Sequence, residues 1–224
     1  MRRKISLVGT LAAVVAVVVA VQVWAYPESA RQTKVGCVGC HVNSAGGEKL
    51  TDAGTAYKAD HAKVPAAPAA AAAAEYVGGN KCRMCHIKEY KSWQESAHAN
   101  ALGNLAKADA KAIAAVATAL KVELKGAASE SDACVVCHVT GFHLPGGYPQ
   151  ADSAKTAAVA SVNCEACHGP GSLHVKAAKE DKKKMIARAV NSSMCIQCHT
   201  TATSPKFDSV DYMKRGVHAV PAAE

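Results

Sequence analysis

Cysteine and histidine recur in this chain with one fixed spacing. All ten cysteines stand in pairs separated by two residues, and a histidine follows each pair at once. This pattern is typical of covalent haem c attachment, because two thiols add to the vinyl groups at one porphyrin edge and the adjoining imidazole binds the iron. The sequence predicts five covalent haem c groups, on Cys37, Cys40 and His41; Cys82, Cys85 and His86; Cys134, Cys137 and His138; Cys164, Cys167 and His168; and Cys195, Cys198 and His199.

Two other uses of paired cysteines fit the pattern less well. A zinc ribbon takes two Cys-x-x-Cys pairs per metal ion, and five pairs cannot be divided in that way. A thioredoxin-like redox motif would occur once and without a histidine after every pair. Haem attachment is therefore the better interpretation. It uses every cysteine in the chain and leaves none for a disulfide or a nucleophile.

The remaining five histidines provide one candidate sixth ligand for each iron. One of them follows each haem motif, and they are His61, His98, His143, His174 and His218. Only five or six residues separate His138 from His143 and His168 from His174, which is a nearly fully extended span around a porphyrin edge. Those two are expected to reach a different haem, whereas His61 could double back to its own haem. The count favours bis-histidine ligation throughout.

The N-terminus predicts export from the cytoplasm. Three basic residues precede an apolar run from Ile5 to Val23, and Val23-Trp24-Ala25 resembles a cleavage site. Residues 1–25 are therefore interpreted as a signal peptide. The run is long enough to serve instead as an uncleaved membrane anchor. In both cases the haem motifs lie outside the cytoplasm, in the periplasm or the extracellular space, where haem is attached to such chains.

Net charge does not indicate a nucleic-acid partner, although it is +8. Loss of the three basic residues before the apolar run leaves +5. Five haems would add ten propionate carboxylates and one net positive charge at each ferric bis-histidine core, which together bring the oxidised holoprotein close to neutrality. The basic side chains are better interpreted as partners of propionates.

Composition predicts a mostly α fold with extensive loops and a core formed largely by stacked haems. Aromatic residues are only 4% of the chain, too few for an ordinary core. Residues 26–63 would form an N-terminal monohaem segment, 64–75 an Ala/Pro linker, and 76–224 a domain with four haems. Helical spacing of apolar residues predicts a helix over 104–125 ending at Gly126. A short helix is also expected over about 50–61, and a second long helix over 172–190. The Lys182–Lys184 run in the last of these is expected to be a solvated face.

Four stretches of the chain resemble the tetrahaem cytochrome c-554 family. They read YVGGNKCRMCHIKEYKSWQESAHANAL (76–102), CVVCHVTGFHLPGGY (134–148), VNCEACHGPGSLHV (162–175) and MCIQCHTTATSPKFD (194–208). The resemblance implies a mostly helical fold with closely stacked haems, and a carrier whose type member accepts electrons from hydroxylamine oxidoreductase. It also implies three ligand pairings and an iron at His138 without a distal histidine. The pairings are His98 with His199, His174 with His86, and His218 with His168.

The chain departs from that family in its N-terminal haem segment and in His143, which replaces a glycine of the type member. His143 could serve the N-terminal haem or a neighbouring subunit, with His61 on whichever iron is left. The leading expectation is an electron carrier, not an enzyme, that works with redox partner proteins. The alternatives are binding or reduction of a small nitrogen species at an open His138 iron, and a subunit of a homo-oligomer or extracellular filament.

Overall fold

The structure, a computed structural model, describes residues 29, 33, 35, 37–42, 49–66, 74–188, 190, 192–215 and 218. The expected signal peptide or anchor at 1–25 and most of the Ala/Pro linker lie outside these residues. Among the described helices, none is both long and apolar enough to cross a membrane. Residues 64–66, at the start of the expected linker, are not helical.

The described part of the chain is built from short helices joined by loops. The α-helices are α1 (Cys37–Cys40), α2 (Asp52–Ala59), α3 (Gly79–Arg83), α4 (Ile87–Gln94), α5 (Ala101–Ala106), α6 (Ala110–Leu120), α7 (Asp132–Val135), α8 (Ser153–Val159), α9 (Cys164–His168), α10 (Ser172–Lys176), α11 (Ser192–Cys195) and α12 (Ser209–Arg215). Single 3₁₀ turns cover Ala97–Asn100, Ala128–Glu130 and Lys182–Lys184. Within the described ranges there is no strand, only one isolated bridge between His41 and Leu50. The prediction of a mostly helical fold with extensive loops is confirmed.

The helix predicted over 104–125 is wrong as one continuous element. Asp109 caps a new helix, since its side chain accepts hydrogen bonds from the amides of Lys111 and Ala112 at 2.9 and 3.1 Å. That helix, α6, ends at Leu120, because Lys121 takes a left-handed conformation with φ of 57°. Gly126 is therefore not its C-cap. By contrast, α2 lies within the short helix predicted over 50–61, and the Thr51 hydroxyl caps it.

The second long helix, predicted over 172–190, is also wrong. Helix α10 stops after Lys176, and the chain returns through a 3₁₀ turn at Lys182–Lys184. The Lys182 ammonium donates to the carbonyl oxygens of His174 and Val175 at 3.0 and 2.9 Å. These carbonyls belong to the last turn of α10, so Lys182 satisfies acceptors that a helix end leaves open. The expectation of a solvated face holds only for Lys183 and Lys184, which are exposed.

The side-chain core is small. One cluster joins Val135, Val139 and Phe142, with three partly buried neighbours. A buried hydrogen-bond network lies near it, centred on Thr140, whose side chain is fully buried. The Thr140 hydroxyl donates to the carbonyl oxygen of Ser161 at 2.6 Å and accepts from the amide of Asn163 at 3.0 Å. Thr140 thus links the loop after one haem motif to the start of the next one.

Candidate haem sites

Each haem motif lies at a short helical turn. The amide of the second cysteine donates to the carbonyl oxygen of the first in three motifs, at 3.1 Å for Cys85, 3.2 Å for Cys137 and 3.2 Å for Cys198. Residues three apart on such a turn share one face, so the two sulfurs point to the same side. The histidine follows immediately, and this arrangement fits attachment of one porphyrin edge with the imidazole beneath it.

Three of these histidines face a second imidazole from a distant part of the chain. The ring centroids are 6.2 Å apart for His86 and His174, 6.0 Å for His168 and His218, and 5.9 Å for His98 and His199. Two imidazoles that bind one iron from opposite sides, each through a metal–nitrogen bond of about 2 Å, hold their centroids about 6 Å apart. The spacing in all three pairs therefore fits an iron between the rings. These are the pairings that the family resemblance implies.

Hydrogen bonds at Nδ1 orient several of these imidazoles. Nδ1 lies 2.6 Å from the carbonyl oxygen of Ala187 in His168, 2.8 Å from that of Lys182 in His174, and 3.0 Å from that of Ala101 in His138. A carbonyl oxygen can only accept, so Nδ1 carries the proton and Nε2 is left to bind a metal. His199 makes a similar contact of 3.0 Å with the Ser204 hydroxyl.

Burial favours the neutral form of three of the facing imidazoles, which is the form that binds a metal. Desolvation lowers the pKa of His98, His168 and His199, and neighbouring histidines lower it further. The charge of His138 contributes to the lowered pKa of both His98 and His199, which places the His138 site close to that pair.

His138 differs from the other three motif histidines of the 76–224 region, His86, His168 and His199. Among the described residues, no histidine ring stacks against it. His143 lies only five residues away, but its exposed ring packs on Phe142 at 4.1 Å and its Nε2 is 3.7 Å from a carboxylate oxygen of Asp132. His143 also has a left-handed backbone conformation, with φ of 57°. The structure therefore does not bring His143 to the His138 side chain.

The N-terminal motif is described only in part. His41 is buried, and the side chain of Cys37 lies outside what the structure describes. His61 is exposed, and its ring packs against Tyr57 with centroids 4.9 Å apart. The predicted roles of His41 and His61 as ligands stay predictions.

Contacts between thiols show which motifs are neighbours. A hydrogen bond joins Cys82 and Cys164, and it raises the pKa of the first and lowers that of the second. A second such bond joins Cys137 and Cys198 and raises the pKa of Cys198. Burial, followed by the charge of Cys195, raises the pKa of Cys167 to about 11. In the holoprotein these sulfurs would be thioethers. The contacts link the Cys82 motif to the Cys164 motif, the Cys164 motif to the Cys195 motif, and the Cys195 motif to the Cys134 motif.

Sequence reasoning missed one buried group at the centre of this arrangement. Glu165 lies between the two cysteines of its motif and is only 1% exposed. Burial raises the pKa of its carboxyl group, while hydrogen bonds from the amides of Val77, Gly171 and Gly78 act in the opposite direction. The only sequence signal was an acidic residue between the two cysteines of a haem motif.

Comparison with known proteins gives the same assignment as the motifs. The family described as "Cytochrome c554 and c-prime" matches residues 81–169. Cytochrome c-554 of Nitrosomonas europaea is 40% identical over 104 residues, which are 45% of this chain and 41% of that protein. The structure of reduced cytochrome c554 from Nitrosomonas europaea is 29% identical with a TM-score of 0.36, and the match covers 55% of this chain and 52% of that chain. The chain thus spans about two fifths of the length of its curated relative. The resemblance to the cytochrome c-554 family is confirmed, over residues 81–169.

Proposed function

We propose that this chain is a pentahaem c-type cytochrome that transfers electrons in the periplasm or outside the cell. The observation that carries the proposal is the set of three imidazole pairs, each with ring centroids 5.9–6.2 Å apart. Each pair joins a haem motif to a histidine from elsewhere in the chain. Contacts between cysteines then bring the motifs themselves together.

The protein groups in these sites favour conduction over catalysis. An imidazole on each side of an iron leaves no position for a substrate, so the ligand pairs keep small molecules away from three irons. The Nδ1 hydrogen bonds hold the rings of His168 and His174 in place when the charge of the site changes. Bound haem would supply an iron that alternates between the ferric and ferrous states.

Two measurements on the purified protein test this proposal. Mass spectrometry of the denatured chain is expected to show five covalent haems. Low-temperature EPR of the oxidised protein is expected to show low-spin ferric haem for at least the three paired sites. A mass corresponding to fewer than five haems would refute the count. A spectrum dominated by high-spin iron would refute the ligation.

A second candidate function is favoured by His138. Its ring has no histidine stacked against it within the described residues, and the resemblance implies an open iron there. Such an iron could bind a small nitrogen species. Addition of nitric oxide or cyanide to the resting protein should then shift the haem spectrum promptly and with a stoichiometry of one. An unchanged spectrum would exclude this function.

The surface around Cys85 supports an acidic redox protein as partner. Cys85 is exposed, whereas the other described cysteine side chains are half-buried. Within six residues of it in the sequence lie four exposed basic residues, Lys81, Arg83, Lys88 and Lys91, against one partly exposed acidic residue, Glu89. The attached edge of this haem would therefore lie at a positively charged surface, which attracts negatively charged partners.

Charged redox reagents can test this surface. The double substitution of Lys88 and Lys91 by Glu should slow oxidation of the reduced protein by ferricyanide, an anion, and accelerate oxidation by hexaamminecobalt(III), a cation. Lys155→Glu with Lys179→Glu, at two exposed sites elsewhere, is the matched control. Equal rates in the two double variants would refute the docking surface. Assembly into filaments stays a prediction, which electron microscopy of the purified protein at several concentrations would decide.

A further inference from the structure

The carboxylate of Glu165 is held by backbone groups from two distant segments. Oε1 accepts from the amides of Gly171 at 2.7 Å and Val77 at 2.9 Å, and Oε2 accepts from the amide of Gly78 at 2.7 Å. No cationic side chain is among these partners. The group thus serves as an acceptor for three buried N–H groups that would otherwise lack one.

The donors lie at the starts of two helices that carry haem-site residues. Val77 and Gly78 come directly before α3, which carries Cys82 and leads to His86. Gly171 caps α10, which carries His174. Glu165 itself belongs to α9, which carries Cys164 and His168. The Glu165 side chain therefore connects the segment that carries His86 and the segment that carries His174 to the Cys164 motif.

A second contact reinforces the same junction. The amide of Glu75 donates to the Ser172 hydroxyl at 2.8 Å, and the amide of Ser172 donates to the carbonyl oxygen of Glu75 at 3.1 Å. The segment before α3 and the start of α10 are therefore joined at successive positions. The joined segments carry His86 and His174, whose ring centroids are 6.2 Å apart although the two residues are distant in the sequence.

We propose that Glu165 is a positioning residue that holds His174 opposite His86. This role rests on the proposed function, since it takes the two imidazoles as ligands of one haem. A carboxylate suits the position because it has two acceptor oxygens and no donor. Glutamine keeps one acceptor but turns an NH₂ group towards a backbone N–H. Alanine removes all three acceptor contacts.

EPR of the oxidised full-length holoprotein tests the role. In Glu165→Gln, part of the signal of one haem is expected to change from low-spin to high-spin, with haem content unchanged by mass spectrometry. Glu165→Ala is expected to show a larger change of the same kind. If the alanine variant fails to accumulate, the glutamine variant decides alone. Glu180→Gln makes the same chemical change at an exposed site and is expected to leave the spectrum unaltered.

A double variant shows whether Glu165 acts through His174. His174→Ala alone should convert one haem fully to the high-spin state, and adding Glu165→Gln should then cause no further change. A wild-type spectrum in Glu165→Gln, or an additive effect in the double variant, would overturn the positioning role while the ligation stands. An unaltered spectrum in His174→Ala would instead overturn the ligation itself, and the positioning role with it.

Discussion

Substitution of Thr140 by Val should destabilise the junction between two haem motifs. Thr140 lies two residues after His138, and its hydroxyl bonds the backbone of Ser161 and Asn163 just before Cys164. Valine has nearly the same shape but cannot donate or accept. The substitution removes both hydrogen bonds and leaves the amide of Asn163 and the carbonyl oxygen of Ser161 with only their bond to each other, at 3.1 Å. The packing around the side chain is little changed.

The size of the effect follows from these two groups. A buried hydrogen bond contributes about 0.5–1.5 kcal/mol to the free energy of unfolding. The loss of two such bonds at a side chain that is fully buried predicts a decrease of about 1–3 kcal/mol in the free energy of unfolding. Asn163 also caps α9 through its side chain, which accepts from the amide of Glu165 at 2.8 Å. Displacement of Asn163 would therefore loosen the start of the Cys164 motif.

Urea denaturation of the holoprotein, followed by far-ultraviolet circular dichroism, measures this loss. Thr118→Val is the matched control, because its hydroxyl donates to the Ala114 carbonyl oxygen at 2.8 Å from an exposed position on α6. That substitution should change the free energy of unfolding by less than about 0.5 kcal/mol. A Thr140→Val protein within the same range as Thr118→Val would refute the reasoning.

Three further predictions concern individual side chains. Replacement of His98 by Ala should convert one iron from low-spin to high-spin by EPR, because its ring faces His199 at 5.9 Å; an unaltered spectrum would contradict the pairing. Replacement of His143 by Ala should leave the EPR spectrum unchanged, because the exposed ring lies beside Asp132; loss of a low-spin signal would show that it is a ligand. Replacement of Lys182 by Ala should lower the free energy of unfolding in urea by about 1–2 kcal/mol, because two hydrogen bonds to α10 are lost; Lys183→Ala, an exposed neighbour, is the control and should have no measurable effect.

Some features of this molecule are marked by neighbouring residues and could be predicted from the sequence, whereas others depend on distant groups and could not. The haem motifs could be found because Cys-x-x-Cys-His is complete within one helical turn. The break in the helix predicted over 104–125 was missed because apolar residues continue through it at helical spacing. The break after Lys176 is followed by the charged stretch 179–184, which contains no glycine or proline to mark a helix end. Asp109 begins α6 through its own cap, and that signal was present in the sequence but was outweighed by the periodicity. The turn at Lys182 has no such local signal, since it depends on carbonyl groups of α10.

The ligand pairs show a second limit of the same kind. Counting predicts five distal histidines for five irons, but counting alone assigns no histidine to an iron. The family resemblance implied three assignments, and in the structure those three pairs of rings face each other. For His61 and His143 the resemblance offers no counterpart, and their rings pack on Tyr57 and Phe142 instead. Which iron a histidine can serve thus depends on how the fold brings its segment to a haem motif, not on its position in the sequence between two motifs.

Glu165 shows the same limit of sequence-based prediction for the backbone segments that carry the candidate ligands. Its partners are amides 87 and 88 residues earlier in the chain and one amide six residues later. Backbone N–H groups are the same at every position, so no residue type in the sequence marks them as partners of a carboxylate. The segments that Glu165 joins also carry His86 and His174, so the proposed positioning role makes the spacing of a candidate ligand pair depend on a residue that binds no metal. In a chain with so small a side-chain core, buried hydrogen bonds of this kind provide much of the positional order between haem sites.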